Sequence, residues 1–588
     1  MGGAWSHWGL IEDRNRERST LQPGCENENG ELILVLDVRD TRLQSLNSSW
    51  TVAFDFAHRI RYDGTRNGEF IPEKDECRMQ NAKFRVQRVT YGFGLRPTRK
   101  GDRLARHLIW MLLLGVGSSV SGQELAAEAR SAMSKATRFF RSEVATEGGY
   151  LGQYSEDMSM RQGERVATET MIWIQPPGTP TVGMTYLDAF AATQDTMYLN
   201  GAIDVARALV WGQLSTGGWD YDVDFDPEGS KRWHYRRDVY AGDTDAGERR
   251  HRSVFDDDTS QSAMRLLMRV DSVLDFKDAE IHNAVTFGLD AFLRVQYPNG
   301  AWPQRWQKFP NPDDYPVLKA RYPESWPWVW PDVDYRDFYT FNDNAIADVI
   351  EVMLEAYRTY DDQRYLDAAL SAGGFVILAQ MPEPQPTWAQ QYNHQMEPVW
   401  ARRFEVASVT GGESFGVMRS LLDLYVHTGE KRFLDPIPRA LAWAKRSVLP
   451  NGQMARFYEL KTNTPLYFVR DTYELTYSDA DMPTHYAFKT TGQSRIESID
   501  AYFERVRTED RDELKQQSLE RWSGPITDAD RAQVKQVIAQ LDAKGRWVED
   551  GAMRSGVRGT PRIPARVISS RTFNRNLGLL ARFIGSTP

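Results

Sequence analysis

Apolar residues recur at spacings of three and four through Ala263, Leu266, Leu267, Val270 and Leu274, and again through Ile346, Val349, Ile350, Met353 and Leu354. Each run predicts one face of an amphipathic helix. The segments at about 282–295, 363–380 and 432–447 carry the same period, and Pro298-Asn299-Gly300 and Pro382-Glu383-Pro384 end the first two. A polar cluster heads each member of the first pair: Phe255-Asp256-Asp257-Asp258-Thr259 and, 86 residues on, Phe341-Asn342-Asp343-Asn344-Ala345.

These pieces belong to a longer unit of acidic turn, helix, helix, then a Gln and a Gly- or Pro-rich turn closed by Trp. The closing turns run Gln213 to Trp219, Gln296 to Trp302 and Gln380 to Trp388, with the tryptophans 83 and 86 residues apart. A less regular unit runs from Ser408-Val409-Thr410-Gly411-Gly412-Glu413 to Asn451-Gly452-Gln453-Met454. Such periods predict stacked helical hairpins that share a core. The expected fold is all-α: an α/α toroid, or incomplete α/α barrel, of repeated hairpins with irregular loops and little β. Its loops into the inner helices open at one end, so Asp256 to Asp258 and Asp343 could face one cleft.

At 588 residues with 41% hydrophobic and 12% aromatic content, the chain can bury a large core in more than one domain. The net charge of -9, without a basic stripe, argues against a nucleic-acid partner, and no apolar run is long enough for stable membrane insertion. Basic residues around 97–106, apolar 107–117 and small Val120-Ser121-Gly122 have the anatomy of a secretory signal, which predicts a secreted or periplasmic protein. Residues 101–122 are therefore read as the signal-like segment. Residues 1–100 are either an over-extended gene start, the favoured reading, or a small β segment with strands at Leu32 to Val38 and Thr51 to Phe56. Both cysteines, Cys25 and Cys77, precede the signal-like segment, so thiolate catalysis and zinc-thiolate sites are excluded from the processed protein.

Clustered carboxylates at two repeat-equivalent turns suit a hard divalent cation such as Ca²⁺, which takes six to eight oxygens in irregular geometry. The simpler explanation is helix capping, since Asp before a helix satisfies free amides and complements the dipole. Two clusters with more carboxylates and amides than a cap needs favour a site. A cationic series follows: Ala401-Arg402-Arg403-Phe404-Glu405 before the fourth turn, then Arg456 and, fourteen residues later, Arg470-Asp471. Arginine reads carboxylates bidentately. Carboxylates plus arginines on one rim are what a polyanionic uronate requires for removal of its C5 proton and loss of the 4-linked oxygen.

Seven segments in order resemble the pectic acid lyases of polysaccharide lyase family 10: Phe255 to Asp258 with Met264-Arg265, Gly300 to Gln304, Thr340 to Ala345, Trp388 to Gln391, Ala401 to Glu405, Ser408 to Ser414, and Arg456 to Glu459. The resemblance covers about 180–480. It implies an α/α toroid that cleaves polygalacturonate, or a related uronate polymer, by β-elimination with a bound Ca²⁺. Motif by motif, it implies Asp256 and Asp343 as calcium and substrate ligands, with Asp257 a further ligand candidate. It implies Arg470 as the base, Arg402 and Arg456 as uronate binders, and Asp471 and Trp302 as further substrate contacts. The chain departs from the family at Val469 and Asn393, lacks any lysine between Lys319 and Lys431, and carries a Pro- and Trp-rich insertion, 310–337, that could wall the cleft.

The catalytic toroid is accordingly placed at 123–485. Residues 486–588 form a C-terminal helical extension, with helices at Ser498 to Gln516, Asp528 to Asp542 and Ser569 to Ile584 packed on the toroid's outside. Rival classes are a terpene-cyclase-like barrel, an α/α glycoside hydrolase using Asp257 with Asp343, and a glycan-binding protein without catalysis.

Overall fold

The computed structural model describes residues 123–588, apart from 521, 523, 558–559 and 587–588, together with the short antiparallel pair Ile33–Leu34 and Val52–Ala53. That pair falls within the two strands expected near the N-terminus. The chain divides into two units, Met1–Arg96 and Pro97–Pro588. The signal-like segment 101–122 lies outside the described residues.

The larger unit is a ring of helical hairpins, as the repeat predicted. The inner helices are α2 (Thr179–Thr193), α5 (Thr259–Val273), α7 (Ala345–Tyr360), α9 (Glu413–Thr428) and α11 (Gln493–Thr508). Their partners are α3 (Thr196–Gly212), α6 (Ala279–Val295), α8 (Gln363–Leu378) and α10 (Ile437–Arg446); α1 (123–139) leads in, and α4 (Arg236–Tyr240) and α12 (Arg511–Leu519) are short additions. Successive inner helices touch, α2 on α5, α5 on α7, α7 on α9 and α9 on α11. The periodic residues that named them, among them Leu266, Leu267, Val349 and Met353, are fully buried.

A Trp closes each repeat on itself and a Gln ties it to the next. Trp219, Trp302 and Trp388 donate their indole N–H to the carbonyls of Leu209, Phe292 and Val376 at 2.8–2.9 Å. Gln213, Gln296 and Gln380 each reach two carbonyls, one in their own turn and one, Ala284, Ala368 or Pro436, in the following hairpin. Glycine makes the tight turns possible: Gly300 has φ 93°, and a Cβ there would lie 2.3 Å from the Ser371 carbonyl oxygen. Asp195, Asp278 and Asp362 cap α3, α6 and α8 through their side chains.

The C-terminal segment corrects the expectation of an external extension. It supplies a further hairpin, α13 (Asp528–Gln540) and α14 (Ser570–Gly585), with α14 packed against α2. Its turn repeats the same lock, Trp547 donating to the Val537 carbonyl ten residues back, the offset of Trp219 and Trp302. Strand Ile563–Ser569 pairs with Gln153–Ser155, so the end of the chain joins the first hairpin. The helix expected over 498–516 is broken where Asp510 caps α12. Beyond the helices lie short strand pairs and two four-stranded sheets.

Candidate active site

The two Phe-Asp turns share one backbone. Asp257 and Asp258 have φ of 54° and 57°, Asp343 and Asn344 of 49° and 56°. Two consecutive left-handed residues are costly for anything but Gly, and Asp and Asn tolerate the conformation best. The same turns pack against each other. Neither α5 nor α7 receives a side-chain cap from its turn, so capping does not account for the acids; Asp258 instead pairs with Arg265 on α5.

Asp256, Asp257 and Asp343 each offer a carboxylate oxygen within 4.8 Å of the others. These are the three residues expected to hold a metal. Their surroundings divide them. Asp256 is buried and saturated: one oxygen accepts from Gln304 Nε2 at 2.9 Å, the other from the Tyr221 hydroxyl at 2.8 Å and Arg305 Nη2 at 3.0 Å. Among the described residues no donor reaches Asp257, and Asp343 receives one bond, from Asn342 beside it. Desolvation at the floor of the cleft, then the Asp256 and Asp343 charges, push the Asp257 carboxyl up to about 7. Desolvation and Asp256 push Asp343 up to about 6, although it opens to the cleft. Like charges near 4 Å repel by about 4 kcal/mol at an effective dielectric of about 20. An all-oxygen set with two uncompensated carboxylates and no His or Cys fits a hard cation. Asp257 and Asp343 would hold it, and Asp256 is the charge behind them.

Both carboxylates line a cleft of about 1030 Å³, whose lining also includes Arg402, Tyr486 and a set of arginines from earlier and later segments. Arg402 is gripped by buried Glu405, Nε to Oε2 at 2.7 Å and Nη2 to Oε1 at 2.6 Å. Glu405 also accepts from Gln390 at 2.6 Å and the Tyr486 hydroxyl at 2.9 Å. Burial opposes both charges, but the ion pair prevails: Glu405 stays below and Arg402 above its ordinary value.

The other expected residues lie elsewhere. Arg456 is behind the cleft, paired with buried Glu413, bonded to Asn342 Oδ1 at 3.2 Å and set 4.2 Å from the centre of the Tyr486 ring. It braces the wall. Arg470, expected as the base, is exposed at the end of a hairpin, its Nε 2.8 Å from Asp481, and it is absent from the cleft lining. Asp471 sits in the same turn at φ 65°. Trp302, expected to contact substrate, is 1% exposed and committed to the Phe292 carbonyl, so no sugar can reach its ring. The insertion packs beside the Arg402 segment, Trp330 donating to the Ala401 carbonyl at 2.9 Å, but none of residues 310–337 is in the cleft lining. Sequence reasoning missed Tyr221, Arg305, Glu405 and Tyr486. Tyr221 and Gln304 both stand two residues after a repeat Trp, a signal the period contained.

Residues 213–454 match the family model described as pectic acid lyase. Over that stretch the chain is similar to the pectic acid lyases. The matched segment holds both acidic turns, Arg402 and Glu405, and it stops before Arg456 and Arg470. A family 10 polysaccharide lyase from Cellvibrio cellulosa, solved as a mutant with trigalacturonic acid, aligns at 18% identity over 55% of this chain and 97% of its own, with a TM-score of 0.38. Cellobiose 2-epimerase from Bacillus thermoamylovorans aligns at 12% identity over 79% of this chain and 100% of its own, with a TM-score of 0.40. No curated protein sequence matches the chain.

Proposed function

We propose that the protein is a calcium-assisted polysaccharide lyase that cleaves polygalacturonate or a related uronate polymer by β-elimination. The observation that carries this reading is the meeting, in one cleft, of the carboxylates Asp257 and Asp343 with the Glu405-anchored Arg402. A uronate carboxylate needs positive charge around it, and its C5 proton becomes acidic only as that charge is withdrawn. Calcium held by Asp257 and Asp343 would supply part of the charge when bound.

Arg402 supplies the rest. Its Nε and Nη2 face Glu405, and no described residue engages Nη1. A guanidinium releases its proton only above about pH 12, and Glu405 makes release harder. Arg402 therefore acts as a fixed cation against the developing enolate, hydroxide from solvent takes the C5 proton and becomes water, and the C4–O bond breaks as the C4–C5 double bond forms, the leaving oxygen taking a proton from water. This reading assigns the work to Arg402, which lines the cleft, rather than to Arg470, which does not. A cleft lined by arginines and carboxylates also disfavours an isoprenoid substrate.

A glycoside hydrolase remains the rival that a specific observation supports, because Asp257, raised to about 7, could serve as an acid beside Asp343. One experiment separates them. The full chain is incubated with polygalacturonate, with calcium and with chelator, while ultraviolet absorbance of the new double bond is followed. Calcium-dependent absorbance is the expected result. Reducing ends without absorbance would mean hydrolysis, and no product from any uronate polymer would sink the lyase reading.

A further inference from the structure

The cleft lining that includes Arg402 also holds cations that the proposed chemistry leaves unused. Arg250 and Arg252 come from the loop before the first acidic turn, and Arg554 comes from the turn after strand Val548–Met553, a hundred residues beyond the pectic acid lyase match. Two segments some three hundred residues apart in sequence thus deliver three guanidinium groups to one cleft.

The backbones of Arg250 and Arg554 are fixed, and among the described residues no hydrogen bond or ion pair engages any of the three guanidinium groups. Arg250 is pinned on both sides, its N–H donating to the Arg232 carbonyl and its carbonyl accepting from His234, each at 2.8 Å. Its guanidinium lies 5.3 Å from the centre of the Trp233 ring. Arg554 N–H donates at 2.7 Å to Gln162 Oε1, and buried Gln162 is held in turn by Gln153 at 2.7 Å. Arg252 follows directly on His251, whose Nδ1 is 2.9 Å from the Arg249 carbonyl oxygen. Neighbouring arginines in the same wall are neutralised, Arg165 by Asp222 at 2.8 Å and Arg249 by Asp243 at 2.8 Å. Among the described residues no carboxylate pairs with Arg252 or Arg554. In a chain of net charge -9, unpaired exposed arginines gathered at one cleft call for an anionic partner.

We propose that Arg250, Arg252 and Arg554 form an extended binding wall for the carboxylates of an acidic polysaccharide, beyond the sugar held at Asp257 and Asp343. The inference rests on the acidic-polymer reading above and gives the C-terminal hairpin a role in substrate choice: the wall favours long, unesterified chains. A polymer with a carboxylate on every sugar meets it with repeated charge-assisted hydrogen bonds, and a neutral polymer does not.

The test reads binding without turnover. Full-length protein is run in affinity gels containing polygalacturonate plus chelator, beside gels containing fully methyl-esterified pectin and gels containing a sulfated glycan. Wild type should be retarded by polygalacturonate far more than by the ester. Arg252→Ala/Arg554→Ala should lose about tenfold in affinity, the scale of one or two charge-assisted bonds. Arg252→Lys/Arg554→Lys should recover most of it, and added salt should weaken the wild type more than the alanine variant. Both side chains are exposed, and unchanged melting temperature will confirm folding. Unchanged retardation of the alanine variant, equal retardation by the ester, or retardation by the sulfated glycan alone would overturn the proposal. Absence of an unsaturated product with arginine-dependent retardation intact would sink the lyase reading and leave the wall standing.

Discussion

The turns Phe255–Asp258 and Phe341–Asn344 have the same backbone and opposite surroundings. In the first, the residue after Phe is Asp256, buried and bonded by Tyr221, Gln304 and Arg305. In the second it is Asn342, whose Oδ1 accepts from Arg456 at 3.2 Å and Tyr486 at 3.3 Å. The next position is a carboxylate in both, Asp257 and Asp343, and among the described residues neither has a cationic partner, Asp343 accepting only from Asn342. The third copy continues the register: Gly411 N–H bonds to the Arg456 carbonyl as Phe255 bonds to Gln304 and Phe341 to Gln390, which places Glu413 opposite Asp343 and Arg456 opposite the two glutamines. Repetition preserves the carboxylate at the cleft, and the supporting shell decides whether it is free to bind.

The sharpest way to break this comparison is to neutralise the equivalent pair. Asp257→Asn and Asp343→Asn should each lower calcium-dependent turnover by about 10³-fold, the scale of losing a preorganised charged group; initial rates at saturating calcium check it. If only Asp256→Asn did so, the register would be wrong. Trp302→Ala should instead cost about 3–5 kcal/mol of stability, as large core deletions do, seen as a lowered denaturation midpoint. A selective rise in KM without destabilisation would restore it as a sugar contact. Arg402→Ala should reduce turnover by about 10²-fold, and Arg470→Ala by no more than about twofold, since its exposed pair with Asp481 is worth little. The reverse order in steady-state kinetics would reinstate Arg470.

The smallest effect is on stability. Asp257 at about 7 and Asp343 at about 6 have folded values raised above the unfolded value of about 3.9. Their protonated forms favour the fold, so their contribution is full below pH 4 and is lost as pH rises through 6 and 7. Chelated protein should therefore melt lower as pH rises across that window. Calcium, binding the ionised pair, should raise the melting temperature more at pH 8 than at pH 5. Scanning fluorimetry at the two pH values measures both; an equal calcium effect would remove the pair from the metal site.

Much of this was legible beforehand, and for local reasons. Helix period, Gln-to-Trp turns and Phe-Asp clusters are short-range signals, and Leu266, Met353 and Trp388 lie in the core where their spacing put them. Even the free pair was readable by aligning Phe255 with Phe341, which sets Asp257, not Asp256, opposite Asp343. The roles of the arginines were not. Arg402, Arg456 and Arg470 look alike in sequence, and only partner chemistry separates a cleft cation from a brace and a surface ion pair. Trp302 misled for a related reason: aromatic rings serve sugar stacking and core packing equally.

By itself the sequence determined the hairpin repeat and the carboxylates at its turns, because both depend on residues a few positions apart. The tertiary structure decided which carboxylates stay unpaired, which arginine faces them, and that the chain's end, with α14 on α2 and Arg554 at the cleft, completes the wall. Those outcomes depend on contacts between residues hundreds of positions apart, and no local pattern specifies which distant partners a folded ring brings together.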